Sequence, residues 1–323
     1  MHEKLTDNRE HLTEPVPVQG IRYYVFPPGG EVTGRDGKVS IPCGDLPVPL
    51  LEEEWQEADP PSYDAVGRGI YQLLRTDPDV PYAARYAGIL RDGYPHIVSE
   101  MASHLLMMER KEMDVAYLDR KIASLKVFSL MEPENGRLSL EIGSAYLEKG
   151  LSIQLLHLAT SSLYQAEKHL RKGEELSPDD RTIRYHLGEV SYILGRYDHV
   201  PRYWSDLASR LEGEASERIR ERLRRVEAGI LPRVPAVDYL EAAGEAFALY
   251  HRGEYEDAAG ILLDILDDPV FCEEFPMPEL FYVLGLCCSR LGMPRYAGEY
   301  FREALQLNPD YREARSALDN LYT

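Results

Sequence analysis

A chain of 323 residues with a formal net charge of -19 and a pI near 4.9 repels polyanions on average, which argues against nucleic acid or an anionic membrane as general partners. The length suits two conventional domains or one elongated stack of repeats. The opening MHEKLTDNREHLTEP lacks the apolar core of a secretion signal, and no run approaches the roughly 18 apolar residues of a membrane helix, so a cytoplasmic protein without membrane contact is expected.

The four cysteines, Cys43, Cys272, Cys287 and Cys288, form no CxxC pair and have no histidine partner at metal spacing. They are expected as reduced core residues, with no metal and no cofactor.

Residues 1–60 are rich in proline, glycine and acid. Two β-prone runs, Ile21 to Phe26 and Lys38 to Ile41, are separated by turn residues. They allow a small hairpin or an extended arm lying along the helices, because a lone two-stranded hairpin is marginally stable. Gly37-Lys38 lacks the Ser or Thr that a phosphate loop places next.

From Pro61 the apolar spacing becomes helical. Val66, Ile70, Leu73 and Leu74 mark one helix, closed by Thr76-Asp77-Pro78, and Tyr82 to Leu90 marks another before Gly93. Ile97, Met101 and Leu105 followed by Val115, Leu118, Ile122, Leu125 and Phe128 predict a helical pair over 94–135, a degenerate repeat within a helical region 61–135.

Two clearer hairpins follow over 136–214. The first has Ile142, Gly143, Ala145, Tyr146 and Gly150, then Ala166, Leu176 and Pro178. The 11 surplus residues between Gly150 and Ala166 correspond to about three helical turns and predict long helices. The second carries Leu187, Gly188, Gly195, Tyr197, Val200 and Trp204. Gly195 and Gly253 lie 58 residues apart, 24 more than one period of 34, so 215–235 is expected to hold an inserted helix with Ile219, Leu223 and Val226 on its apolar stripe, and a linker. Two more hairpins occupy 236–311, with FCEEFP lengthening the loop between them. Ala314, Ala317, Leu318 and Leu321 give 312–323 the pattern of a capping helix.

Pro278 to Tyr311 is the most regular unit. Phe281, Leu284, Gly285 and Cys288 share one helix face, Gly292 closes that helix, Ala297, Phe301, Ala304 and Leu305 form the next face, and Asn308-Pro309 stops it. This order resembles the tetratricopeptide repeat, a hairpin of 34 residues, with departures at Cys288, where a Tyr is usual, and at Pro294. The resemblance implies an all-α fold, an α-α superhelix or solenoid of such hairpins with an irregular N-terminal segment.

The resemblance also implies a groove lined by the first helix of each hairpin. Carried over, the groove positions are Arg137, Leu140, Ser144 and Leu147; Thr182, Tyr185, Glu189 and Tyr192; Leu240, Ala243, Phe247 and Tyr250; and Glu279, Tyr282, Leu286 and Ser289. Among them Tyr185, Glu189, Tyr192, Phe247, Tyr250, Tyr282 and Leu286 are the candidate contacts to a protein or peptide partner, because aromatic rings give large contact area with little rotamer entropy to lose. The N-terminal arm or the inserted helix could instead cover these rings as a lid. Tyr185 and Glu189 stand where some relatives place the Lys and Asn that clamp a C-terminal carboxylate, so that mode is not expected.

The run Arg218, Arg220, Arg222, Arg224, Arg225 has two readings. Arg218, Arg222 and Arg225 could contact an anionic partner, or the run could be a solvated face with Glu214 and Glu221 each four residues ahead of an arginine. No HExxH, GxSxG or GxGxxG occurs and the nine histidines are scattered, so no catalytic residue is expected. The reading is a noncatalytic scaffold or adaptor. A regulatory sensor taking a small ligand or nucleic acid is the alternative, with an enzyme behind both.

Overall fold

The structure, a computed structural model, describes residues 17–34, 37, 40–44, 46–56, 60–108, 115–210 and 212–321. Lys38 and Val39 of the second expected β-run, and the side chain of Val115, lie outside them. The chain divides into two units, Met1–Leu138 and Ser139–Thr323.

In the first unit, strand β1 (Ile21–Val25) pairs antiparallel with β4 (Pro47–Leu51), and the short β2 (Glu31–Thr33) pairs with β3 (Ser40–Pro42) between them. The Ile21 run therefore finds a partner that the β-prone pattern did not mark. Pro47 and Pro49 recur every second residue, so both missing N–H groups fall on the edge turned away from β1. That edge meets helix α1 (Tyr63–Thr76) at Gly69, where any Cβ would collide with the Pro49 carbonyl. Ser62 caps α1 by accepting from Ala65 N at 3.2 Å.

Helices α2 (Ala83–Gly93), α3 (Pro95–Met108) and α4 (Val115–Met131) complete this unit. Tyr86 of α2 donates its hydroxyl to the Pro47 carbonyl. Cys43, Leu46, Val48 and Leu50 are buried in one core with Val66, Ile70, Leu73 and Leu90. The strand segment is thus part of the core of the first unit.

The second unit is a stack of helical hairpins. They are α5 (Gly136–Leu151) with α6 (Ala159–Leu176), α7 (Arg181–Ile193) with α8 (Val200–Arg210), α10 (Ala236–Arg252) with α11 (Tyr255–Leu266), and α13 (Pro278–Arg290) with α14 (Pro294–Leu307). In three of the pairs a glycine receives a large side chain of the second helix. A Cβ on Gly143 would fall 2.5 Å from Leu170 Cγ, one on Gly285 2.6 Å from the Phe301 ring, and one on Gly188 inside the Trp204 indole. Ala246 takes the equivalent place in α10 and is fully buried.

The inserted helix is present as α9 (Glu214–Ala228), with Ile219 and Leu223 buried, ended by Gly229 at φ +67°. The cap is α15 (Arg312–Asn320), with Ala314 buried and Ala317, Leu318 and Leu321 packed on the core.

Two expectations need correcting. The surplus residues after Gly150 do not extend a helix: α5 stops at Leu151, and Ile153–Leu158 forms a 3-10 helix before α6. FCEEFP is not a plain loop either, since Pro269–Glu274 forms α12. Asp268 starts it by accepting from Val270 N at 3.0 Å and Phe271 N at 3.2 Å, with Pro269 at the first helical position.

Candidate partner-binding groove

The 3-10 helix Ile153–Leu158 is seated on α10, where the absence of a side chain at Gly244 permits close approach: a Cβ there would lie 2.6 Å from His157 N. Glu241 holds the end of this insertion by accepting from Thr160 N at 2.9 Å. With α13 on the other side, these elements enclose a cavity of about 720 Å³.

Phe247 and Tyr250 enter this cavity from α10, Glu279, Tyr282 and Leu286 from α13, and Tyr311 from the residue that precedes α15. All six are half-buried. The Tyr282 and Tyr311 rings lie 5.1 Å apart, tilted at 52°. Burial, and then the negative charge of Glu279, raises the Tyr311 hydroxyl pKa above its ordinary value. Among the described residues, no lysine or arginine lines the cavity.

A second cavity, of about 590 Å³, has a different character. Its lining includes Glu189 of α7, Arg218, Arg222 and Arg225 of α9, and Glu274 of α12. Arg222 Nη1 donates to both oxygens of Glu189, at 2.9 and 3.0 Å, and its Nε donates to Glu274 at 2.9 Å. The same guanidinium lies 4.6 Å from the Tyr192 ring centre and 5.6 Å from that of Phe275. Burial disfavours its charge, but Glu189 and Glu274 more than offset this and raise its pKa. Arg225 donates to Glu221 at 2.8 Å and to Glu273 at 2.7 Å.

The seven groove residues thus separate. Phe247, Tyr250, Tyr282 and Leu286 come together in one cavity. Tyr192 is fully buried, with its ring 6.0 Å from Trp204. Glu189 is 9% exposed and engaged by Arg222. Tyr185 is half-buried, and its backbone carbonyl accepts from Trp204 Nε1 at 3.1 Å. The inserted helix therefore covers Glu189 and Tyr192 of α7 through Arg222, while Thr182 is exposed and Tyr185 half-buried.

The solvated-face reading of α9 needs revision for Arg222 and Arg225, which are 5% and 7% exposed. Glu221 forms the expected i,i+4 pair with Arg225, and also an i,i+3 pair with Arg224. Arg218 is exposed at the rim of the second cavity.

Glu274, Tyr311 and the 3-10 helix were not marked by the sequence. Tyr311 is the last residue of the unit Pro278 to Tyr311, two past the Pro309 that stops its second helix, and none of the groove positions falls on it. No group of three or more His, Cys, Asp or Glu residues suited to a metal ion occurs among the described residues. None of their helices is long and apolar enough to cross a membrane.

No family model matches this sequence, and no curated protein matches it. Among solved structures, the TPR domain of P58(IPK) is similar at 18% identity and a TM-score of 0.30, over 69% of this chain and 55% of that one. This chain therefore spans about half the length of that structure. YrrB, a TPR protein with an unusual peptide-binding site, is similar at 14% identity and a TM-score of 0.24, over 78% and 99%. A tetratricopeptide repeat protein from Parabacteroides merdae ATCC 43184 is similar at 14% identity and a TM-score of 0.25, over 81% and 93%.

Proposed function

We propose that this protein is a noncatalytic interaction scaffold that holds a segment of a protein partner in the cavity between α10 and α13. The observation that carries this reading is the convergence of Phe247, Tyr250, Tyr282 and Tyr311 on one half-buried cavity in a stack of helical hairpins. Rigid aromatic rings on rigid helices give a peptide apolar contact area at low entropic cost. Concave cavities with a few convergent polar groups are where such ligands bind.

The alternative, a sensor engaging an anion through Arg218, Arg222 and Arg225, has less support, since the donors of Arg222 and Arg225 are already engaged by carboxylates. The buried cysteines Cys43, Cys287 and Cys288 stand outside any disulfide, which agrees with work in a reducing compartment such as the cytoplasm.

Affinity capture from lysate tests the scaffold reading. The wild-type chain should retain a defined set of proteins that the Tyr250→Ala, Tyr282→Ala double variant loses with its helical circular dichroism unchanged. Equal capture by both chains would contradict the assignment of the cavity.

A further inference from the structure

Resting on the scaffold reading, we infer that the cavity between α10 and α13 selects a basic side chain, an arginine or lysine borne by the partner segment. The aromatic rings alone would accept any apolar residue, and Glu279 is what makes the site selective. It stands in the first turn of α13, half-buried, at the wall shared with Tyr282 and Tyr311. No cation among the described residues is paired with it, whereas Glu189, Glu274, Glu167 and Asp268 elsewhere in this unit are each engaged by an arginine or a backbone donor.

A ligand cation beside Glu279 would gain a charge-assisted contact that no lysine or arginine of the lining already supplies. The Tyr282 and Tyr311 rings, 5.1 Å apart, line the same cavity as Glu279, and an aromatic ring attracts a cation that reaches its face. His157 and His251 are the other titratable side chains of the lining besides the tyrosines, and among the described residues neither lysine nor arginine competes for the position. The net charge of -19 favours approach of a basic segment over an acidic one.

The volume also favours a residue within a peptide. A cavity of about 720 Å³ holds an arginine side chain together with flanking backbone, and the 3-10 helix beside it offers Gln154 as a polar contact. A guanidinium fits particularly well, because its plane can lie on a tyrosine ring while its edge donates to Glu279.

Selection of a random-peptide display library against the full chain tests this. Wild-type binders should share an arginine or lysine whose replacement by citrulline or norleucine weakens affinity about tenfold, within the range of a partly desolvated cation on an aromatic face. Glu279→Gln should lose the same factor for the basic peptide and nothing for the citrulline form. Binders that Tyr282→Ala abolishes but that share no basic residue, or that ignore Glu279→Gln, would overturn the inference and leave the scaffold reading standing. Recovery of no peptide sensitive to Tyr282→Ala would overturn both.

Discussion

Arg222 and Glu189, 33 positions apart, form a two-pronged ion pair in the interior of the second unit, with Nη1 at 2.9 and 3.0 Å from the two carboxylate oxygens. The pair ties the inserted helix α9 to the first helix of a hairpin, and Glu274 extends it to α12. An element outside the repeat pattern is thereby fixed against the repeats.

Removing one partner leaves the others charged and buried. Arg222→Ala should destabilise the second unit by about 3–5 kcal/mol, the usual cost of breaking a buried pair. Urea titration followed by Trp204 fluorescence would measure it. Glu189→Gln combined with Arg222→Met should cost less than the sum of the two single changes, because the uncompensated charge at Glu189 is gone.

Acid should weaken this unit through Asp268 and Glu167. Burial would raise the pKa of Asp268, but donors from Arg233 N, Phe271 N, Tyr239 Oη and Val270 N outweigh it, so the folded value is lowered. Burial likewise opposes Glu167, and hydrogen bonds from Arg171 and Arg196 overcome it. A group whose folded pKa is lowered contributes stability above its unfolded pKa, and this is lost as pH falls through the folded value. Melting temperature should therefore decline from about pH 5 downward. Asp268→Asn keeps the helix cap but has no charge to titrate, so its deficit relative to wild type should shrink as pH falls toward about 3, as thermal melts at stepped pH would show.

Two glycines should respond to alanine with opposite signs. Gly285→Ala places a Cβ 2.6 Å from the Phe301 ring and 3.2 Å from the Ala297 carbonyl, and should cost about 1–3 kcal/mol through overpacking. Gly260 sits in α11 with open space where a methyl group would stand, no atom beyond the neighbouring backbone of its own helix lying within 4 Å, and Gly260→Ala should gain about 0.4–1 kcal/mol by restricting the unfolded chain. Chemical denaturation of both variants measures the difference.

The regular part of the fold could be read from residue spacing because hairpin packing depends on neighbours at fixed intervals. Gly285 with Phe301, and Gly188 with Trp204, are each 16 positions apart and meet as the repeat requires. Spacing also located α9 and the cap. It could not reveal that Ser152 ends α5, since the apolar run Ile153–Leu158 suits a longer helix equally well.

Long-range polar chemistry was hidden for a related reason. Glu189 reads as a groove residue and Arg222 as a surface residue until the fold brings them together, and no local pattern encodes a pairing across 33 positions. In the strand region, Pro47 and Pro49 lie in β4 with their nitrogens on the edge that makes no ladder bonds, where proline is tolerated, so a β-prone pattern of residue types passes over this strand. Of the groove, the α10 and α13 half was legible, while the covering of α7 depended on an insertion without any repeat template.

The cavity between α10 and α13 is the centre of the proposed function, and affinity of a selected peptide, read by fluorescence anisotropy, tests it most directly. Tyr250→Ala and Tyr282→Ala should each weaken binding by about tenfold or more, as aromatic anchors at an interface do, while Tyr185→Ala, on α7 and outside that cavity, should leave it within about twofold. Equal losses from Tyr185→Ala, or none from Tyr250→Ala and Tyr282→Ala, would contradict the proposed function.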